Sequence, residues 1–219
     1  MGIDMTRFIT VLKKEVATYQ VPVVDLIQAQ TRSPFKVLVT TILSARTQDA
    51  VTTAASKKLL AKAPDPESLA RLSQDTIRKL IFPVGFYNAK AGYLAKLPRA
   101  LDAFGGKVPD TIDDLVKLPG VGRKTANLVR SVAFNKDAIC VDTHVHRIMN
   151  IWGYVTTKTP LETEMALRQK LPRKHWKEVN GILVAFGQGT CRPISPICHQ
   201  CPLDAGCPKI GVTPRKPQQ

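Results

Sequence analysis

The sequence predicts an all-α protein, and three observations support this fold class. Apolar residues recur at helical spacing, as at Leu38 and Ile42. Residues that favour helix starts precede several of these segments, and Thr111 to Asp114 has the form of a capping box. No alternation of strand and helix patterns is found along the 219 residues. With 44% hydrophobic residues, the chain can bury a core of its own.

The first of these segments is the apolar stretch around Leu38. The residues Leu38, Ile42 and Ala45 recur at helical spacing, with Val39 and Leu43 between them, and indicate a buried helix. The stretch is rich in β-branched residues, which suit a strand equally well. Propensity therefore leaves a strand open at this position.

The later helices follow from chain breaks and periodicity. Residues 64–68, PDPES, interrupt the chain and predict a helix over 67–82. The capping box at 111–114 opens a short helix. Two further helices are predicted over 162–171 and 177–187.

The charge of the chain points to a polyanionic partner. Lys and Arg number 32 against 17 Asp and Glu, a formal net charge of +15, which is most simply explained by nucleic acid. The stretches 76–101, 115–136 and 165–177 contain basic residues and no acidic ones. Each could be a solvated helix face, but together they predict a shared basic surface.

The sequence excludes several other classes of protein. No apolar run approaches the roughly 20 residues that a membrane helix needs, and no secretory signal is visible. We therefore expect no membrane partner and no secretion. In a prokaryote we expect the protein in the cytoplasm, associated with the nucleoid. Otherwise we expect it in the nucleus.

Four of the five cysteines form a local cluster with the spacing C-x6-C-x2-C-x5-C: Cys191, Cys198, Cys201 and Cys207. This clustering is typical of a metal centre in a reduced compartment rather than of a disulfide framework. Four-thiolate zinc sites usually have two C-x2-C pairs, whereas this segment has one. The spacing therefore favours an iron–sulfur cluster and leaves zinc open. The fifth cysteine, Cys140, is expected to be a small buried apolar residue.

The segment from Leu118 to Ala126, LPGVGRKTA, predicts a tight turn between two helices. Gly120 and Gly122 permit positive φ values and the close approach of another backbone. Amides at the start of the second helix can donate to a phosphate, which holds a nucleic-acid backbone without reading its sequence. A plain helix–turn–helix corner is the alternative, and the flanking charge of residues such as Arg123 disfavours it.

Lys124 lies in the first turn of the second helix, where a cation is unfavourable. The helix macrodipole disfavours a positive charge there by about 0.3–1 kcal/mol. Arg123 adds like-charge repulsion. Both effects favour a neutral amine, a nucleophile capable of Schiff-base chemistry, provided that burial supplies most of the effect. A simple phosphate contact is the alternative, and the residues alone leave both open.

Asp142 follows the apolar segment 138–141 and precedes a helical pattern. Its simplest role is an N-cap. With a nucleophile-like Lys124 in the same chain, a role as catalytic acid–base partner is a second possibility. We expect His144 to orient this turn and His146 to lie on a helix surface, because the spacing of these histidines disfavours a metal site.

The hairpin segment 118–126, the run Val141–His144 and the four-cysteine loop, in this order, resemble endonuclease III. That family consists of bifunctional DNA glycosylase/AP lyases of the helix-hairpin-helix superfamily. The resemblance extends over nearly the whole chain, from about Pro34 to Cys207.

The resemblance implies two lobes. One is a six-helix barrel over 24–135 that contains the helix-hairpin-helix, and the other is a discontinuous domain of 1–23 and 136–219. The discontinuous domain would hold a [4Fe–4S] cluster on the four cysteines, and the hairpin carbonyls would bind a monovalent cation. A monomer would bind double-stranded DNA with damaged bases or abasic sites in the cleft between the lobes.

The resemblance also implies a mechanism. Lys124 would attack C1′ of an oxidised pyrimidine nucleotide, and Asp142 would assist the departure of the base. The base must first be flipped out of the duplex, because C1′ is shielded in the stack. The resulting Schiff base permits β-elimination, which cuts the strand 3′ to the lesion.

Two further segments resemble family loops that contact DNA. Residues 43–49 resemble the family loop that fills the space left by the flipped base. Arg46 stands where that loop usually has Gln, and Gln48 follows two residues later. In 84–90, Phe86 replaces a frequent Leu at the tip and would wedge against the opposite strand. The expected DNA-contacting residues are Arg46, Gln48, Phe86, Gly120, Gly122, Arg123 and His144.

Three alternative functions remain. Relatives that remove adenine opposite oxidised guanine carry an extra C-terminal domain and lack the lysine. Monofunctional thymine or uracil glycosylases specific for mismatches commonly carry Tyr at the position of Lys124. A non-enzymatic DNA-binding module with a structural cluster would bind DNA without cutting it, and only Lys124 and Asp142 argue against it.

Overall fold

The computed structural model describes residues 4–17 and 33–213, and all regular structure within them is helical. This confirms the all-α prediction. The α-helices of the described residues are α1 (Met5–Val16), α2 (Pro34–Ser44), α3 (Asp49–Lys62), α4 (Pro66–Ala70), α5 (Gln74–Ile81), α6 (Tyr87–Asp102), α7 (Ile112–Leu115), α8 (Arg123–Phe134), α9 (Thr143–Ile151), α10 (Pro160–Lys170) and α11 (Val179–Gly189). Short 3₁₀ helices cover Arg173–His175, Cys198–Gln200 and Asp204–Gly206.

The chain divides into two compact units. The continuous unit comprises residues 21–138, and the discontinuous unit comprises 1–20 and 139–219. The predicted boundary between residues 23 and 24 lies outside the described residues. The assignment of the units to a six-helix barrel and an iron–sulfur domain stays a prediction.

The continuous unit is built around α2, which is buried along most of its length. Ser33 caps this helix by accepting a hydrogen bond from the Lys36 N–H (3.4 Å). Pro34 occupies its first turn, where the missing N–H breaks no helical bond. Leu38 and Ile42 lie in the core. The segment is therefore a helix, because these start signals outweigh its β-branched composition.

The second helix of the predicted hairpin, α8, packs directly on α2. Val37 contacts Leu128 and Val132. Ala126 and Val129 of the same helix belong to the main core of the unit. The segment that carries Lys124 is thus anchored to the most deeply buried helix of the continuous unit.

The single helix predicted over 67–82 is wrong. The structure has two helices there, α4 and α5, because Ser73 caps the second by accepting a hydrogen bond from the Thr76 N–H (3.2 Å). The first begins at Pro66, after a capping box formed by Asp65 and Ser68. A second capping residue within the predicted segment therefore separates the two helices.

The discontinuous unit has a core of its own, in which α1 packs against α11. The Phe8 and Trp152 rings meet edge to face, with centroids 4.8 Å apart. The helices predicted over 162–171 and 177–187 are present as α10 and α11, each displaced by a few residues. Within the described part of the chain, no helix combines the length and the apolar character needed to cross a membrane.

Candidate active site

The hairpin is a tight turn held by the core of the continuous unit. Thr111 caps α7 by accepting a hydrogen bond from the Asp114 N–H (3.2 Å), as the capping-box pattern predicts. The chain then turns through Leu118 and Val121, both buried, and the Val121 N–H donates to the Leu118 carbonyl (3.2 Å). Two buried apolar residues thus fix the turn from beneath.

The two glycines of the hairpin differ in whether the fold requires a residue without a side chain. Gly120 has φ +76°, and a Cβ there would lie 2.6 Å from Cδ2 of Tyr93. The fold itself therefore requires glycine at 120. Gly122 is extended (φ −90°, ψ 176°), and a Cβ there would meet no atom within 4 Å. Packing within the protein therefore does not require glycine at 122.

Lys124 and Arg123 lie at the start of α8, and both side chains are exposed. No side chain caps this helix at Gly122, and its first turn contains no acidic residue. The protein therefore presents a helix N-terminus and two cations on one surface, which suits an anion. The burial of Lys124 that the sequence argument required is not found in the protein alone.

Asp142 is an N-cap, as its position in the sequence predicts, and it is also buried. Its Oδ1 accepts hydrogen bonds from the backbone N–H groups of His144 and Val145, both at 2.9 Å. The His144 ring lies against Gly187 of α11, where a Cβ would collide with the ring. The carboxylate thus sits at the start of α9 with one oxygen held by two donors.

The predicted DNA-contacting loops of the continuous unit lie side by side. The guanidinium of Arg46 lies over the Phe86 ring, 5.5 Å from its centroid. Phe86 is 62% exposed, although it is a large apolar residue. Both residues have left-handed backbones, with φ of 54° and 57°. Gln48 is exposed at the start of α3.

The four clustered cysteines line one pocket of the discontinuous unit. All are free thiols. Arg147 reaches this segment from α9: its guanidinium donates to the Cys191 carbonyl and lies 3.6 Å from the Cys191 Sγ. Cys140 is buried, as expected, and lies outside this pocket.

Burial disfavours the thiolate form of three of the four cysteines of this pocket. Burial raises the pKa of Cys201 to about 11, and neighbouring cysteines add to the rise. Burial also raises the pKa of Cys198 and of Cys207. These thiols become thiolates when a cation displaces their protons, which is how metal centres form on cysteine.

The cysteine segment fits a metal centre by its chemistry. Four soft sulfur donors around one pocket are the ligands that zinc and iron–sulfur clusters prefer. Over residues 4–17 and 33–213, however, no group of three or more His, Cys, Asp and Glu side chains is arranged so that it could hold a metal ion. The fit therefore rests on the identity of the donors and on the pocket that they line.

Several residues of these sites carried no signal in the sequence. Lys90 looked like one member of a basic run but is buried and hydrogen-bonded to the loop that carries Arg46. Arg147 and Gly187 likewise acquire roles only through partners distant in sequence. No local sequence pattern distinguishes these residues from their neighbours.

Residues 39–173 match the sequence profile of the HhH-GPD superfamily base excision DNA repair proteins. Endonuclease III of Thermotoga maritima is 47% identical over 175 residues, which are 80% of this chain and 82% of that protein. Endonuclease III homolog 1, chloroplastic, of Arabidopsis thaliana is 43% identical over 188 residues. That match covers 81% of this chain and half of the plant protein.

Solved structures match over almost the whole chain. A trapped endonuclease III–DNA covalent intermediate has a TM-score of 0.82 at 33% identity, covering 94% of this chain and 97% of that one. A thermostable thymine-DNA glycosylase has a TM-score of 0.79 at 26% identity, with coverages of 92% and 94%. The fold is thus common to proteins with different glycosylase names, so the residues of the site must discriminate between them.

Proposed function

The chain belongs to the HhH-GPD superfamily of base excision DNA repair proteins, and on this premise we propose that it excises oxidised pyrimidines through a Schiff base on Lys124. It is a base excision repair enzyme with DNA glycosylase and abasic-site lyase activity. The observation that carries the residue assignment is an exposed Lys124 on the first turn of a helix without a side-chain cap, directly after the hairpin.

The chemistry assigned to Lys124 is nucleophilic. Its neutral amine forms a bond to C1′ while the bond from C1′ to the base breaks, and the base leaves with the electron pair. Opening of the sugar ring gives the Schiff base. Loss of a proton from C2′ then breaks the bond from C3′ to oxygen and cuts the strand. Lys124 is exposed in the free protein, so its amine is accessible to a flipped nucleotide.

We assign Asp142 two roles, as a proton acceptor and as a negative charge that stabilises the reacting sugar. Two backbone donors hold its Oδ1 in one place, so the carboxylate needs no reorganisation when the reaction begins. It accepts the proton that the amine loses and balances the positive charge that develops on the sugar as the base departs. The same two hydrogen bonds make Asp142 a helix cap, and this capping role is compatible with the proposed catalytic one.

The partner is double-stranded DNA that carries a damaged base or an abasic site. The open space beside Gly122 supports a close approach of phosphate to the hairpin backbone. Arg123, exposed at the same turn, supplies positive charge without reading sequence. Arg46 and Phe86 are assigned to the space left by the flipped base and to the opposite strand. A monovalent cation on the hairpin carbonyls stays a prediction.

The four-cysteine pocket is assigned to a [4Fe–4S] cluster. Cys191, Cys198, Cys201 and Cys207 would supply the four thiolates. Bound there, the cluster would cross-link the C-terminal segment of the discontinuous unit and so stabilise its fold. Metal analysis of purified protein should find about four irons per chain. A folded protein that contains zinc and no iron would contradict this assignment.

Borohydride trapping on abasic duplex DNA tests the assignment of Lys124. The wild type should form a covalent complex, and Lys124→Ala should form none. Lys124→Arg is the matched control, because it keeps the positive charge but cannot form a Schiff base. It should bind the DNA and fail to trap. Persistent trapping by either variant would place the nucleophile elsewhere, and binding without trapping by the wild type would leave a DNA-binding module.

A further inference from the structure

Lys90 is a buried lysine whose ammonium is fully hydrogen-bonded. It lies in the first turn of α6, and only 5% of the residue is exposed. Its Nζ donates to the carbonyls of Leu43 (2.8 Å) and Ala45 (2.6 Å) and to the Thr47 hydroxyl (3.1 Å). An ammonium has three hydrogens, so every donor has an acceptor. One side chain therefore holds residues 43–47, which are the end of α2 and the loop after it, at three points.

Thr47 joins the same loop to the segment that precedes α6. Its Oγ1 also accepts a hydrogen bond from the Gly85 N–H (3.1 Å). A Cβ at Gly85 would collide with the carbonyl oxygen of Arg46. The two loops thus meet backbone to backbone, and the Thr47 hydroxyl bonds to Lys90 and Gly85 at once.

The conformation held by these contacts is one that the chain does not favour by itself. Arg46 and Phe86 both have left-handed backbones without being glycine. Such conformations persist where the surroundings impose them. Burial lowers the pKa of Lys90 to about 8, whereas its three oxygen partners favour the charged ammonium, which alone can donate to all three.

We infer that Lys90 is a positioning residue for lesion recognition, which holds Arg46 and Phe86 in contact so that both enter the duplex as one preassembled unit. Lys90 acts through the loop and does not itself contact DNA. This inference rests on the proposed function, which assigns Arg46 and Phe86 to the DNA. Preassembly matters because an ordered loop loses less conformational freedom when it binds.

The test uses a duplex with a stable abasic analogue opposite 2-aminopurine, whose fluorescence rises when it is unstacked. Lys90→Met should weaken affinity by at least about tenfold and should reduce the brightening even at saturating protein. The control Lys58→Met removes the same charge from an exposed position on α3 and should brighten fully. Brightening at saturation reports the inserted side chains and not the fraction of folded protein.

A second pair of variants keeps the test decisive if Lys90→Met fails to fold. Thr47→Val removes the shared hydroxyl and should reproduce the reduced brightening. Thr47→Ser keeps a hydroxyl at this position and should brighten as fully as the wild type. Full brightening by Lys90→Met or by Thr47→Val, with an active wild type, would overturn the inference and leave the proposed function intact. A wild type that neither traps abasic DNA nor brightens would overturn both.

Discussion

Alanine placed at Gly120 should destabilise the protein through its effect on the hairpin turn. The new Cβ would lie 2.6 Å from Cδ2 and 2.9 Å from Cγ of Tyr93, at a position where φ is +76°. A left-handed backbone costs an alanine about 1–2 kcal/mol, and overpacking of this kind typically costs about 1–3 kcal/mol. The free energy of unfolding should therefore fall by about 2–5 kcal/mol. At about 2–4 °C per kcal/mol for a chain of this size, Tm should fall by about 10 °C.

Alanine placed at Gly122 should leave stability unaffected and weaken DNA binding. The backbone there is extended and no atom lies within 4 Å of the added Cβ, so Tm should be unchanged or slightly raised. Affinity for DNA should fall, because the methyl group occupies the space through which a phosphate approaches the backbone. Loss of one charge-assisted hydrogen bond costs about 1.5–3 kcal/mol, or roughly 10- to 100-fold in Kd.

Stability is measured by thermal unfolding followed by circular dichroism. DNA affinity is measured by fluorescence anisotropy with an abasic-analogue duplex, and both measurements use one salt concentration. Each variant serves as the control for the other. If Gly122→Ala binds DNA as tightly as the wild type, no phosphate approaches that backbone. If Gly120→Ala keeps its Tm, the close contact with Tyr93 does not restrain the turn.

Two further predictions concern titratable groups. Asp142→Asn should keep the Tm of the wild type, because asparagine caps helices as well as aspartate does. In single-turnover assays the variant should release the base about 100-fold more slowly, or slower still. An unchanged rate would show that Asp142 takes no part in the chemistry. For Lys90, whose pKa is lowered from 10.5 to about 8, the unfolded chain binds more protons between these values. The free energy of unfolding should therefore rise over this pH window, by up to about 1.4 kcal/mol per unit, and urea titrations of Lys90→Met should lack the rise.

Features encoded by neighbouring residues could be predicted from the sequence. Thr111 and Asp142 are helix caps, as expected, because a cap needs only a side-chain oxygen and the amides two or three positions later. Ser73 is a cap of the same kind, and overlooking it merged two helices into one. The choice between helix and strand at α2 needed its start signals to be weighed against propensity.

Features encoded by distant residues could not be predicted. Lys90 has the same local surroundings in the sequence as an exposed lysine, and its burial depends on a loop more than forty positions away. For Lys124 the sequence argument made a neutral amine conditional on burial, and the side chain is exposed in the protein alone. In both cases exposure is set by which helix faces pack together, and composition does not specify this.

The discontinuous unit has a consequence for the order of events on the ribosome. Helix α1 is made before its partners, because its apolar residues, including Phe8 and Leu12, pack in a core with segments from residue 139 onward. The continuous unit can close as soon as residue 138 has emerged, since domains generally fold as units during synthesis. Until these later segments have been made, α1 therefore lacks the apolar partners of its core.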